Sequence, residues 1–436
     1  MNVPFTRYSP ERRTALVLCG TGAHGAYHAG VLRAIEEAGV KIDIVAGHGI
    51  GAAGAALAAI GGAARLWEKD GVWRGGAARR FYAWTRPVRA LAWLLPLSGA
   101  LVLALPLLLT GGGRSPAGAW VWVPPVLALA CVLAVAVGDR IRGRRAGAAR
   151  RTVGGSWWRI VGAPVNAESA RDTFAGVLWQ LIRVASHLGR PPDRALGRRY
   201  AEVLAESLGQ PGFRELMLVA TDLDARRDIV AGLLAEPYRR EFTATRGEPD
   251  HSGEIVDLAG AGRELAFQFV AAALTPPMVC DPYLLPFDVE SYWRGETHRL
   301  CDRPGACSRL LDELANAGVS QVIVASAVAA PGAPHRLTAP RLELRHRLGE
   351  FLAASEAAAL RDALELARLR FDSVHVIRPV HNAVGPFDAK GAYDEASDRR
   401  QEPAELMERA YEDAYRQFIE PVVGASGDQL ARIEST

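Results

Sequence analysis

The stretch TALVLCGTGAHGAYHAGVLRAIEEAGVKIDIVAGHGIGAAGAA, residues 14–56, constrains the fold more than any other. Its apolar run over 14–19 suits a strand buried on both faces, the pattern of parallel sheets. The loop Gly20-Thr21-Gly22-Ala23-His24-Gly25 follows, and then Tyr27, Val31, Ile35 and Ala38 fall on one helical stripe that Gly39 ends. Val40, Ile42 and Ile44 alternate with Lys41 and Asp43 in a second strand, and Gly47-His48-Gly49-Ile50-Gly51 leads straight into a helix of small residues. That order predicts a sharp strand–turn–helix elbow at Gly49, flanked by Gly47 and Gly51. The chain is therefore expected to be α/β, with a mostly parallel sheet covered by helices.

The glycine loop itself admits more than one reading. Glycines at a helix N-terminus free backbone N–H groups to cradle an oxyanion or a phosphate. A dinucleotide-binding loop would add an acidic residue about 20 positions on, at the end of the second strand. Asp43 stands near that distance but ahead of the strand's end, and an elbow follows instead.

Two further stretches have no charged residue at all: ALAWLLPLSGALVLALPLLL (90–109) and AWVWVPPVLALACVLAVAVG (119–138). Twenty helical residues span roughly 30 Å, the hydrocarbon thickness of a bilayer. Arg79, Arg80, Arg86 and Arg89 precede the first span, and Arg140, Arg142, Arg144, Arg145, Arg150 and Arg151 follow the second, against Arg114 between them. This asymmetry places both ends on the cytoplasmic side, and Trp93, Trp120 and Trp122 suit the interface. The expectation is an integral membrane protein with an inserted transmembrane hairpin at 86–145 and a cytoplasmic globular domain built from 1–85 and 146–436.

Composition narrows the function classes. A net charge of +3 gives no case for nucleic acid, and five cysteines show neither zinc spacing nor an even disulfide framework. The N-terminus has no long apolar stretch ahead of a cleavage site, so no signal peptide is expected. No cofactor is expected, and the oligomeric state is not legible. Farther along, VSQVIVASA (319–327) and SVHVIRPV (373–380) read as buried strands, and Leu352, Leu360, Leu364 and Ala367 recur at the spacing of a helix that covers the sheet.

Residues 14–59 resemble the opening of the patatin-like phospholipase family, which has a glycine-rich oxyanion loop after its first strand and a G-x-S-x-G elbow. RELMLVATDLDARRDIV (214–230) is similar to the family's central strand, and FQFVAAALTPPMV (267–279) to the segment before its lipid-facing rim. YWRGETHRLCDRPGACSRLLDELANAGVSQVIVAS (292–326) resembles the strand, D-G-G turn, helix and strand that carry the family's catalytic Asp. The resemblance implies a three-layer patatin-like fold, lipid acyl ester hydrolysis by a Ser–Asp dyad, and membrane lipids or fatty acyl groups as substrate or ligand. It also implies that Gly20, Thr21, Gly22, Ala23, His24 and Gly25 form the oxyanion loop.

The chain departs from that pattern at both catalytic turns. Gly49 falls on the nucleophilic Ser, and Asp302 on the dyad Asp, with Arg303-Pro304 in place of two small residues. Proline locks φ and removes a donor, so the turn that aims the carboxylate is expected to change. Ser156, Ser426 and Cys19 are the alternative nucleophiles considered, and Cys19, which ends a strand beside the glycine loop, is the best placed. His24, His28 and His48 would together offer a metal site if loop and elbow adjoin, since neutral imidazoles are suited to zinc. Three readings follow in order. The first is a membrane-anchored patatin-like protein with hydrolysis lost or weakened, binding lipid, acyl chains or partners. The second is an active hydrolase in which His48, Asp302 or a metal activates water. The third is a nucleotide-binding α/β protein.

Overall fold

The computed structural model describes residues 8–86, 162–183, 189–244, 253–332 and 343–424, with isolated positions between 88 and 130. Chain contacts divide it into two compact units. One comprises Met1–Tyr82, Ala167–Pro277 and Pro282–Thr436; the other comprises Ala83–Asn166 and Met278–Asp281. In the second unit the described backbone forms a short antiparallel pair, Ala83–Trp84 with Val165–Asn166. The apolar spans 90–109 and 119–138 lie almost wholly outside the described residues. Among the described residues, no helix is long and apolar enough to cross a membrane, so the hairpin read from the sequence has no counterpart there.

The first unit is built on one sheet. Strand β1 (Thr14–Cys19) runs into helix α1 (Gly25–Glu37), strand β2 (Ile44–Gly47) and helix α2 (Ile50–Ala59). Helices α3 (Glu168–Ile182) and α4 (Asp193–Ser207) lead to strands β3 (Glu215–Asp222), β4 (Arg227–Leu233) and β5 (Ile255–Asp257). After α5 (Ala266–Ala273) come strands β6 (Tyr283–Pro286) and β7 (Thr297–Cys301), helix α6 (Cys307–Asn316) and strand β8 (Gln321–Ser326). The long helix α7 (Leu344–Arg370), strand β9 (Ser373–Ile377) and helix α8 (Pro403–Ala414) follow.

The strand order is β9-β8-β1-β2-β3-β4-β5, with β7 beside β3 and β6 beside β7. The five-strand run from β9 to β3 is parallel throughout, whereas β4, β6 and β7 join by antiparallel pairing. Every residue of β1, β2, β3 and β8 is buried, as their mostly apolar sequences require when helices cover both faces. One face carries Val17, Ala46, Met217 and Val324 against Leu310, Leu314, Leu360 and Leu364 from α6 and α7. On α1, Gly30 permits close packing on α8, because a Cβ there would stand 2.0 Å from the Met407 carbonyl oxygen.

The parallel register aligns the C-terminal ends of β1 and β8, pairing Cys19 with Ser326, while Leu18 faces Gly47 at the end of β2. The glycine loop and the elbow therefore leave the sheet side by side. Asp43 is at the other end: its Oδ2 accepts the Thr14 amide at 2.8 Å. A six-residue strand puts it about 17 Å from the glycine loop, too far to hold the ribose of a dinucleotide bound there.

Candidate functional site

Gly49 occupies the bend between β2 and α2 with φ 57° and ψ −135°, a conformation that L-residues rarely adopt. The turn is tied to β1 by His48 N donating to Leu18 O at 3.3 Å, and to the glycine loop by Ile50 N donating to Gly20 O at 2.9 Å. These bonds draw the glycine loop onto the elbow. A Cβ on residue 49 would stand 2.3 Å from the Gly20 carbonyl oxygen and 2.7 Å from Asp302 Oδ2. The position expected to carry a nucleophile thus has neither a side chain nor room for one as the backbone now lies.

Asp302 reaches this bend from the turn after β7. Its amide donates to Thr275 O at 2.9 Å, and Thr21 Oγ1 donates to its Oδ2 at 2.8 Å. His48 Nδ1 lies 3.1 Å from Oδ1, the geometry of an Nδ1–H donor. Arg303 and Pro304 do not turn the carboxylate away, contrary to the sequence expectation. Arg303 swings outward to pair with Asp228, which leaves Asp302 facing the elbow.

His48 does not hydrogen-bond the elbow backbone through its ring. It is wedged between two carboxylates, with Nε2 2.9 Å from Glu356 Oε1 on α7. His48, Asp302 and Glu356 are 0%, 1% and 3% exposed. Burial alone would lower the His48 pKa; the Glu356 charge and the hydrogen bond to Asp302 outweigh it and hold the imidazole well above its ordinary value of 6.5. A ring engaged on both nitrogens and sealed from solvent is poorly placed to deprotonate a water.

The glycine loop is also closed. Gly20 through Gly25 are all buried. The Ala23 amide donates to Pro386 O at 2.7 Å, His24 N to Thr21 O at 3.4 Å, and a Cβ on Gly22 would meet Pro386 O at 1.9 Å. The segment around Pro386 thus occupies the amide that a cradle for a bound anion would present. His24 and His28 are buried neutral imidazoles, their pKa values pushed down by burial to about 4 and about 3. His28 Nε2 engages the Cys19 carbonyl at 2.9 Å.

The three-histidine metal site read from the sequence is not what the fold assembles. Among the described residues, the side chains whose donor atoms converge are Cys19, His48 and Glu356, all within 4.8 Å of one another. Cys19 is no nucleophile as it stands: a hydrogen bond with Cys307, and then burial, push its thiol well above its ordinary value. Ser156 and Ser426 lie outside the described residues. Glu356 was missed in the sequence although a signal was present. It falls four residues after Leu352 and four before Leu360, an acid on the buried stripe of α7.

A mostly parallel sheet with a glycine loop and a strand–turn–helix elbow at its C-terminal edge defines the class: an α/β protein. Residues 16–110 match the model of the Patatin-like phospholipase family. The chain is 56% identical over 41 residues to Lysophospholipase nte1 of Emericella nidulans, covering 9% of this chain and 3% of that protein. It is 62% identical over 37 residues to Patatin-like phospholipase domain-containing protein 6 of Homo sapiens, covering 8% of this chain and 3% of that protein. Neuropathy target esterase sws of Drosophila virilis is 49% identical over 53 residues, 12% of this chain and 4% of that protein. The aligned stretches thus amount to only 3–4% of the length of these relatives. Among solved structures, VipD from Legionella pneumophila overlaps 94% of this chain and 66% of its own, at 13% identity and a TM-score of 0.30.

His48→Gln should lower stability by about 3–5 kcal/mol, because two buried carboxylates lose their cation. A raised folded pKa means the stabilisation is complete below 6.5 and lost only as pH climbs through the higher folded value. Urea unfolding at a series of pH values should show the full gap between wild type and variant at about pH 6, narrowing in alkali.

Proposed function

We propose that this chain is a patatin-like protein that has given up Ser–Asp ester hydrolysis and holds a lipid acyl chain at a membrane. The observation that carries the first half is Gly49. A dyad needs an oxygen on that residue, and the bend leaves 2.3 Å between a Cβ there and the Gly20 carbonyl. Asp302, the expected partner, is spent on Thr21 and His48.

An open cleft of about 410 Å³ supports the second half. It lies between the end of β8, the middle of α7 and the 381–386 segment, beside His24 of the glycine loop. Ala327, Val328, Ala353, Ala357 and Val384 give it a mostly apolar lining, and its volume falls in the range of about 300–1,000 Å³ usual for ligand sites. The matched relatives are named as phospholipase, lysophospholipase and esterase, so an acyl lipid is the ligand class that fits both the lining and the family pattern. Membrane attachment rests on the two uncharged spans with their Arg-rich flanks, and Trp93 and Leu97 at described positions of the first span are exposed.

The wild-type protein should take no label from a serine-directed fluorophosphonate and turn over no phospholipid or acyl ester; labelling would overturn the reading. Gly49→Ser should also stay unlabelled, and thermal unfolding should show a loss of about 2–4 kcal/mol from strain and crowding. A fluorescent fatty acid should bind the wild type and lose affinity about tenfold or more in Ala357→Trp, which fills the cleft; equal affinities would remove the acyl site. Replacing 86–145 by a short polar linker should move the protein from the membrane pellet to the soluble fraction.

A further inference from the structure

The donors buried behind the elbow are more than an ion pair needs. The Cys19 thiol at the end of β1, a ring nitrogen of His48 at the elbow and a carboxylate oxygen of Glu356 on α7 lie within 4.8 Å of one another, and all three residues are buried. His48 Nε2 and Glu356 Oε1 stand 2.9 Å apart, yet neither makes a hydrogen bond of sound angle with any group. A buried imidazolium–carboxylate pair without a well-angled hydrogen bond is costly to keep, and a divalent cation that replaces the Nε2 proton would engage both atoms.

We propose that Cys19, His48 and Glu356 bind a divalent metal ion of the zinc type. Thiolate, imidazole and carboxylate are the three donor classes zinc accepts, and tetrahedral ligands at its bond lengths stand about 3.4 Å apart. The 2.9 Å pair opens only by about half an ångström to admit the ion. The other ring nitrogen is already set for this: Nδ1–H donates to Asp302 Oδ1 at 3.1 Å, the carboxylate–histidine arrangement that fixes a ligating imidazole.

The ligands are sealed from solvent, so the ion is a structural staple. It ties β1, the elbow and α7 together at the place where a hydrolase of this framework would do its chemistry. Binding displaces the Nε2 proton of the His48 imidazolium and the proton of the Cys19 thiol, so it weakens as pH falls. The inference stands apart from the acyl site: it concerns the closed side of α7, and it survives if the cleft binds no lipid.

The test is metal analysis of the full-length chain, purified in detergent without added chelator from zinc-supplemented cells. The expected result is close to one zinc per chain, sulfur in its first coordination shell by X-ray absorption, and a thiolate-to-metal charge-transfer band after cobalt exchange. Cys19→Ser should abolish that band and Glu356→Gln should weaken retention of the ion on dialysis at least about tenfold. Folded wild type, checked by circular dichroism, that holds no stoichiometric zinc and gives no cobalt band overturns the proposal. So does a shell of nitrogen and oxygen alone, or a band that persists in Cys19→Ser. Should either variant fail to fold, the wild-type stoichiometry and coordination shell decide.

Discussion

The functional edge of this molecule depends on a distance too short for a methyl group. The Gly20 carbonyl lies so close to the elbow that a Cβ on residue 49 would be 2.3 Å away, and the same oxygen accepts the Ile50 amide that starts α2. A single backbone contact thus fixes the entry angle of the helix, draws the glycine loop onto the turn, and excludes any residue but glycine from the bend as it lies. Packing of this kind yields only by shifting main chain, because interiors are close-packed.

With no side chain at residue 49, the groups that would serve it have found other partners. Asp302 accepts from Thr21 and His48, the imidazole faces Glu356, and Pro386 O takes the Ala23 amide. Each substitute partner comes from a different part of the chain, so the closure is a collective property of the fold. The cleft on the other side of α7 stays open, so the elbow is closed while the opposite face of that helix borders an accessible cavity.

Much of the framework was legible in the residues. Mostly apolar runs at 14–19 and 319–327 marked buried strands, and the period-3.6 stripe through Leu352, Leu360 and Leu364 marked the helix over them. The elbow was legible because glycine spacing and small residues reflect local backbone geometry. The fate of Asp302 was not. Proline at 304 suggested a redirected carboxylate, whereas the salt bridge from Arg303 to Asp228 absorbs the change and the carboxylate still meets the elbow. Asp228 is 75 residues away along the chain, and no local rule connects the two.

The sequence alone determined that strand, glycine loop, helix, strand and elbow follow in that order, and that the residue at the bend lacks a side chain. Those properties depend on neighbours within a few positions, where periodicity and backbone freedom act. Only the tertiary structure decided that His48 meets Asp302 and Glu356 rather than His24 and His28, and that Pro386 closes the glycine loop. Such contacts join segments hundreds of residues apart, and they are set by strand register and helix packing, which no single stretch of chain encodes.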